Sequence, residues 1–379
     1  MNLALITGSM PPGKDGVGDY TRLLAEECRR AGHRVVTVAI NDRFIAHEGP
    51  QEIGAVPSLR LDAARPWPER VADAQRFLDD AEIDTVSLQY VGYSYQPKGW
   101  PLQLGAQLAP LIRDRRLHLM FHELWIGDQA GEPLKDRLIG IVQKWAALRV
   151  IRRLRPVTVA SSNAAYVAML ERCGVEAQVL PMFGTLAVAA PPERDWLFAR
   201  VRAAFPEMMR REDLWIVAMF GALHPVWPPR PIFDVLAAGA AAVGRKLVVV
   251  SAGRLGAGEE LWTQIQRDFG DRVHFLRLGE QPPQIVSEFL HSADFGLSTS
   301  PWEIVGKSAS TACMLDHGLP VIVNRDDVRL TRHDSPPLHP QLVRMDATLA
   351  ERLPLLVRKP AAPSVQRVAA QFLAQLDRR

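Results

Sequence analysis

Short runs rich in valine, isoleucine and leucine recur along the whole chain, each followed by a segment with apolar residues at helical spacing. That alternation admits few folds. A first series of runs lies at 2–7, 34–40, 84–89, 117–122, 157–160 and 177–181, and a second at 214–220, 246–251, 272–276, 294–298 and 320–323. Strands apolar on both faces and separated by helices belong in parallel sheets covered on both sides, so the fold class is α/β. Between the series, Ala189-Ala-Pro-Pro-Glu-Arg-Asp195 breaks the pattern, and a helical stretch at 196–205 follows. The expected organisation is an N-terminal domain over 1–185, a connection near 183–194 and a second domain over 195–360. An amphipathic helix at 361–379 ends the sequence. A chain of 379 residues that is 47% hydrophobic and 23% charged carries enough apolar surface for two cores.

The second series contains the segment richest in chemistry. From Ser298 to Val323 the residues predict a strand end, a polar loop, a helix, a tight turn and another strand, and the loop holds Glu303, Gly306 and Lys307. A helix start offers unpaired N–H groups and the positive end of the macrodipole. A lysine delivered to that point suits an anion, and a nearby carboxylate suits hydroxyls. A diphosphate joined to a sugar satisfies both. Taken alone, Gly318-Leu-Pro-Val321 also fits an ordinary helix end and buried strand.

At the N-terminus, Asn2–Thr7 predicts a strand, Gly8–Asp19 a Gly/Pro-rich loop and Tyr20–Ala31 a helix, before Gly32-His-Arg-Val35 opens the next strand. Gly8-x4-Gly13-Lys14 has P-loop spacing, but Asp15 stands where a Ser or Thr should hold magnesium, and Pro11 and Pro12 lack the N–H groups that cradle phosphate. Gly16-Val-Gly18 begins a dinucleotide fingerprint, yet Thr21 replaces its third glycine. His122-Glu123 lacks the second histidine of a zinc protease helix, since Ile126 stands there.

The two segments together resemble family 4 retaining glycosyltransferases of the GT-B fold. In that family Ser-x-x-Glu-Gly-Phe-Gly precedes Glu-Ala-Met-Ala-x-Gly-x-Pro-Val, and Glu303, Gly306, Gly318, Pro320 and Val321 match; Gly16, Gly18, Gly32, His33 and Val35 match the N-terminal pattern. Thr311 occupies the place of the second acid of the Glu-x7-Glu motif, which in the family holds the donor ribose. Ala222 replaces the arginine of the loop after the first strand of the second domain.

The resemblance implies two Rossmann-like domains with parallel sheets facing each other across a cleft, the last helix crossing back to the first domain. It also implies transfer of a sugar from a nucleotide diphosphate sugar to an acceptor hydroxyl, with retention and without metal. It places His122, Glu303 and Lys307 at the chemistry. Arg230, His224, Gly253, Arg254, Gly306, Ser308 and Thr311 go to the donor, and Gly16, Gly18, Asp19 and Tyr93 to the loop and acceptor side. Tyr90, Tyr95 and Trp100 would extend the acceptor face, since aromatic rings pack well on sugars. An epimerase of the same fold, a non-catalytic nucleotide-sugar binder and a phosphorylase-like enzyme are the alternatives.

No cofactor is expected beyond the nucleotide sugar, and the acceptor is an unidentified sugar, lipid or small molecule. Cys28, Cys173 and Cys313 form no C-x-x-C pair, which argues against zinc and disulfides and for a reducing cytoplasm. A net charge of +3 and the absence of nucleic-acid motifs argue against a nucleic-acid partner. The first residues lack a basic signal-peptide start, and no apolar run nears the roughly 20 residues a membrane span needs. Lys144–Arg155 mixes Trp, Leu and Ile with arginines, making it a candidate for peripheral contact with the inner membrane surface, or else a crossover helix with a basic outer face.

Overall fold

A computed structural model of the chain describes residues 1–10, 15–45, 47–129, 132–192, 196–330 and 339–377. The chain divides into two compact units, one of Met1–Met182, Arg329–His333 and Val365–Arg379, the other of Phe183–Val328 and Asp334–Ser364.

The first unit runs β1 (Asn2–Thr7), α1 (Gly16–Arg30), β2 (Arg34–Asp42), β3 (Gly49–Ile53), β4 (Val56–Asp62), α2 (Trp67–Asp80), β5 (Thr85–Tyr90), α3 (Gly92–Tyr95), α4 (Leu104–Ile112), β6 (Arg116–Phe121), α5 (Leu134–Leu154), β7 (Thr158–Ser161), α6 (Ala164–Glu171) and β8 (Gln178–Val179). Its eight-stranded sheet has the order β3-β4-β2-β1-β5-β6-β7-β8, parallel except where β3 folds back on β4. Leu3, Ala4, Leu5 and Ile6 are wholly buried because β1 lies mid-sheet. Helix α1 starts at Gly16, earlier than expected, because the Asp15 carboxylate accepts hydrogen bonds from the N–H groups of Val17 and Gly18.

The second unit runs α7 (Trp196–Ala204), β9 (Leu214–Phe220), α8 (Arg230–Ala242), β10 (Lys246–Ala252), α9 (Glu259–Phe269), β11 (Val273–Gly279), α10 (Pro283–Ser292), β12 (Phe295–Ser298), α11 (Ala309–Asp316), β13 (Val321–Val323), β14 (Leu342–Arg344) and α12 (Leu349–Arg352). The six strands are all parallel, in the order β11-β10-β9-β12-β13-β14. One face buries Trp215, Phe233, Trp262 and Phe269, the other Ile216, Val248, Phe289 and Met314.

The final helix, α13 (Val365–Asp377), packs on the first unit. Phe372 meets the edge of His118 at 5.1 Å, Arg116 donates to the Leu376 carbonyl at 2.8 Å, and Gln371 and Gln375 donate to the Val179 carbonyl at 2.7 and 3.1 Å. Among the described residues no helix is long and apolar enough to cross a membrane.

Gly318, just past α11, has φ +77°, and a Cβ there would run into the Lys359 carbonyl oxygen. Gly244 has a similar φ of +71° with open space around it. Gly244→Ala should therefore cost about 1 kcal/mol from backbone strain alone and Gly318→Ala at least twice that. Urea midpoints of the two variants measure the difference, and equal shifts would show that the Lys359 contact does not matter.

Candidate functional site

Each sheet changes its direction of build-up beside its first strand. In the first unit β2 and β5 flank β1; in the second β10 and β12 flank β9. Doubly wound sheets collect ligands at the carboxyl ends of strands at such points.

In the second unit three of those strand ends carry a glycine in the left-handed region: Gly221 at φ +87°, Gly253 at +95° and Gly279 at +68°. Gly253 donates to the Gly279 carbonyl at 2.8 Å, and Gly221 to Ala252 at 2.9 Å, so the loops are laced by backbone. A Cβ on Gly221 would lie 3.3 Å from that of Ser310 in the first turn of α11. The rim beside the α11 N-terminus is thus nearly free of side chains. Ser308 caps that helix, its Oγ accepting from the Thr311 N–H at 3.2 Å and lying 3.1 Å from the Ser310 hydroxyl.

Glu303, Gly306 and Lys307 belong to a 3-10 turn, Trp302–Lys307, that leads into Ser308. Glu303 is buried and Lys307 half-buried. His224, exposed in the loop after β9, has its pKa lowered by partial desolvation and by the cations Arg325 and Lys307, against an opposing pull from Asp327. The site therefore holds His224 neutral in a positive field. Its Nδ1 accepts from the Val226 N–H at 3.4 Å, which leaves the proton on Nε2 as a donor.

Arg325 is a member of this group that the sequence reading missed. It lies two residues past β13, is 7% exposed and grips Asp327 through Nε at 2.7 Å and Nη2 at 3.0 Å, while its buried Nη1 has no hydrogen-bond partner. Its signal was its position two residues past the apolar run at 320–323, since the carboxyl ends of parallel strands collect ligands.

Other expected residues are placed elsewhere. The Arg230 guanidinium lies over the Phe269 ring at 5.5 Å, a ring it shares with Arg272. Phe269 precedes the amino end of β11, so the side chain of Arg230 turns away from the carboxyl rim. Thr311 is 2% exposed and spends its hydroxyl on Ser298 at 2.8 Å and Ser308 at 2.9 Å, fastening α11 to the end of β12. Arg254 is exposed and paired with Glu280 at 2.8 Å on the neighbouring loop.

In the first unit the loops after β1 and β5 meet at the switch point, where a Cβ on Gly8 would collide with Ser94. A Cβ on Gly18 would come within 2.7 Å of the Ser9 carbonyl oxygen and 2.9 Å of the Met10 Cα, so Gly18 lets α1 rest on that loop and its N–H is taken by Asp15. Gly16 faces open space, and Asp19 is half-buried in the first turn. Pro11–Lys14, which complete the P-loop-like spacing, lie outside the described residues.

His122 ends β6 as expected but is 4% exposed. Its Nε2 donates to Gln89 Oε1 at 2.8 Å, Gln89 donates to Ser87 Oγ at 2.7 Å, and Ser87 lies 2.9 Å from His118 Nδ1. Tyr20 packs edge-on at 4.9 Å, and the buried Nδ1 of His122 has no hydrogen-bond partner. Burial, reinforced by His118, pushes its pKa down to about 3. The expected aromatic face also turns inward: Tyr90 and Tyr95 are buried and stacked, and only Tyr93 is exposed, with its hydroxyl accepting from Gln143 at 2.9 Å.

No protein-family model and no curated protein matches the sequence. Solved structures do match. Anabaena Alr3699/HepE in complex with UDP and glucose is similar over 100% of both chains, with a TM-score of 0.58 at 16% identity. Alpha,alpha-trehalose 6-phosphate synthase from Burkholderia multivorans follows over 99% of this chain and 94% of its own, with a TM-score of 0.54 at 12% identity. The catalytic domain of starch synthase IV from Arabidopsis thaliana, bound to ADP and acarbose, gives 0.51 at 12% identity, over 98% of each chain. The fold is thus a mixed α/β arrangement of two largely parallel sheets that matches GT-B glycosyltransferase structures.

Proposed function

We propose that the protein transfers a glycosyl group from a nucleoside diphosphate sugar to an acceptor hydroxyl, with the second unit holding the donor. One observation carries this: a backbone-lined rim at Gly221, Gly253 and Gly279 adjoins the α11 N-terminus, and Lys307, His224 and Arg325 collect beside it. A diphosphate needs close approach, N–H donors and fixed positive charge, and this rim supplies all three. The bound UDP, ADP and glucose named for the structural neighbours are consistent with that chemistry.

In such a transfer the departing phosphate gains charge as the sugar–oxygen bond breaks. Lys307 and the Nε2–H of His224 oppose that charge, with Ser308 and Ser310 offering hydroxyls. Glu303 takes sugar hydroxyls. His122, sealed under Tyr20, acts as a positioning residue that holds the end of β6 through Gln89. Retention of configuration and side chains in place of a metal ion belong to the same proposal. Among the described residues no three His, Cys, Asp or Glu side chains gather as metal ligands would.

A non-catalytic nucleotide-sugar binder is the second reading, favoured by the loss of an acid at Thr311. A panel of nucleotides and nucleotide sugars separates the two. Donor at a hundred times its Kd should stabilise the fold by about 2.7 kcal/mol, seen as a raised melting temperature, and the transferase should also release nucleotide when acceptor sugars are supplied. Stabilisation without release would support the binder, and no stabilisation by any member would end both readings.

A further inference from the structure

Helix α5 turns an unusual side outward. Leu134, Leu138, Ile141 and Trp145 are 72%, 57%, 63% and 48% exposed, at a three- and four-residue spacing that places them on one face. The same spacing continues to Arg149 and Arg152, both exposed. Lys135 and Arg137 flank the stripe, while the helix's single acid, Asp136, lies on the other side. The outer face is therefore apolar for its first half and cationic for its second. The opposite face, with Ala146, Ala147, Val150 and Leu154, is the one that packs into the unit.

Two grooves open beside the cationic half, of about 640 and 590 Å³. Arg152 and Arg153 line both, Arg113 and Arg155 line the larger, and Trp145 and Arg149 line the smaller. Among the described residues no carboxylate pairs with Arg113, Arg149, Arg152, Arg153 or Arg155. Arginines in a last turn complement the helix dipole, which accounts for Arg152 and Arg153. The C-caps Arg113 of α4 and Arg155 of α5 fit the same account, but the exposed apolar stripe does not.

We propose that this face docks the protein on a bilayer carrying anionic lipids, the stripe entering the headgroup boundary while the arginines take lipid phosphates. The charge pattern selects that occupant. A second copy meeting this face with its own would set arginines against leucines or arginines with no carboxylate to receive them. A nucleic acid would use the arginines and leave the stripe in water. A bilayer edge satisfies both halves, and each cation near an anionic surface contributes roughly fivefold to partition. The surface begins ten residues before the candidate segment 144–155, at Leu134.

Flotation of the full chain with phosphatidylcholine vesicles, with and without one third phosphatidylglycerol, tests this without any nucleotide sugar and so independently of the transfer reaction. The protein should float with the anionic vesicles and be released by raised salt. Arg149→Gln with Arg152→Gln should lower partition roughly thirtyfold, and Leu138→Ser with Ile141→Ser roughly tenfold or more, with little change in melting temperature, because all four residues are exposed and Arg149 gives up only one exposed bond to the Leu102 carbonyl. Equal binding to neutral vesicles, or partition unaffected by either pair, overturns the proposal. So does self-association or DNA binding through this face with no vesicle binding.

Discussion

Lys307→Ala is expected to lower kcat/KM for glycosyl transfer by a hundredfold to a thousandfold, the loss that follows removal of one fixed group stabilising transition-state charge. The residue ends the 3-10 turn directly before the Ser308 cap, so its backbone lies next to the first amides of α11. It is close enough to His224 to help lower that pKa, so its charge is felt across the rim of the strands. A phosphate leaving group carries more charge in the transition state than in the bound donor, so most of the effect should fall on kcat. Lys307 is half-buried on a short 3-10 turn, and the variant's melting temperature, measured alongside, separates a loss of catalysis from a loss of fold. Lys307→Arg keeps the charge and should retain more activity than alanine. If kcat is unchanged and only KM rises, Lys307 binds the donor without assisting departure; if neither moves, it has no place at the site.

Much of the α/β pattern was legible because its signal is local. Each buried strand from β1 to β13, apart from the β3–β4 hairpin, announced itself as an apolar run, since a strand covered on both faces has no polar side to disguise it. The hairpin did not. Gly49-Pro-Gln-Glu-Ile53 is polar and lies at the sheet edge, where one face meets water, so no apolar run marks it between the runs at 34–40 and 84–89. The start of α1 was missed because Gly16 and Gly18 suggested a loop, whereas Asp15 is the residue that fixes the helix start by capping it.

The site was less legible than the fold, for a different reason. A residue type and its neighbours reveal where the backbone passes, but the direction of a long side chain is decided by tertiary packing. Arg230 finds a ring in Phe269, Thr311 finds Ser298, and the aromatic side chains of Tyr90 and Tyr95 find each other. None of those partners is near in sequence except Tyr95. Arg325 lay open to the rule about strand ends, but the short run at 320–323 gave its loop no distinguishing motif.

Acidification should unfold the protein well above the pH at which its carboxylates are all protonated, because three histidines are buried neutral. Burial holds His118 down to about 4, with Gln375 working the other way; it holds His122 down to about 3 and His317 down to about 4. Each is inaccessible, and the surroundings favour neutral rings. His317 Nδ1 donates to the Cys313 carbonyl at 2.7 Å, which leaves Nε2 to accept from Ser287 at 2.8 Å. In the unfolded chain the same groups titrate near 6.5. Below that value the unfolded state binds more protons than the folded one, so stability falls with pH until the folded pKa values are reached.

Each histidine contributes up to about 1.4 kcal/mol per pH unit in that window, so by pH 4.5 the three together remove several kcal/mol from a typical 5–15. The first unit should yield at α13, because a charged His118 faces Phe372 and loosens the seam that Arg116 and Thr158 make with the helix carbonyls. Urea unfolding at pH 7, 5.5 and 4.5 measures the slope, and hydrogen exchange shows whether α13 opens first. His122→Gln keeps a donor toward Gln89 and cannot charge, so it should lose about 2–3 kcal/mol less than the parent between pH 7 and 4.5. A parent and variant with parallel pH profiles would mean that His122 takes up its proton in the folded protein as readily as in the unfolded chain, and the buried relay from His122 to His118 would have to be redrawn with a ring that can charge.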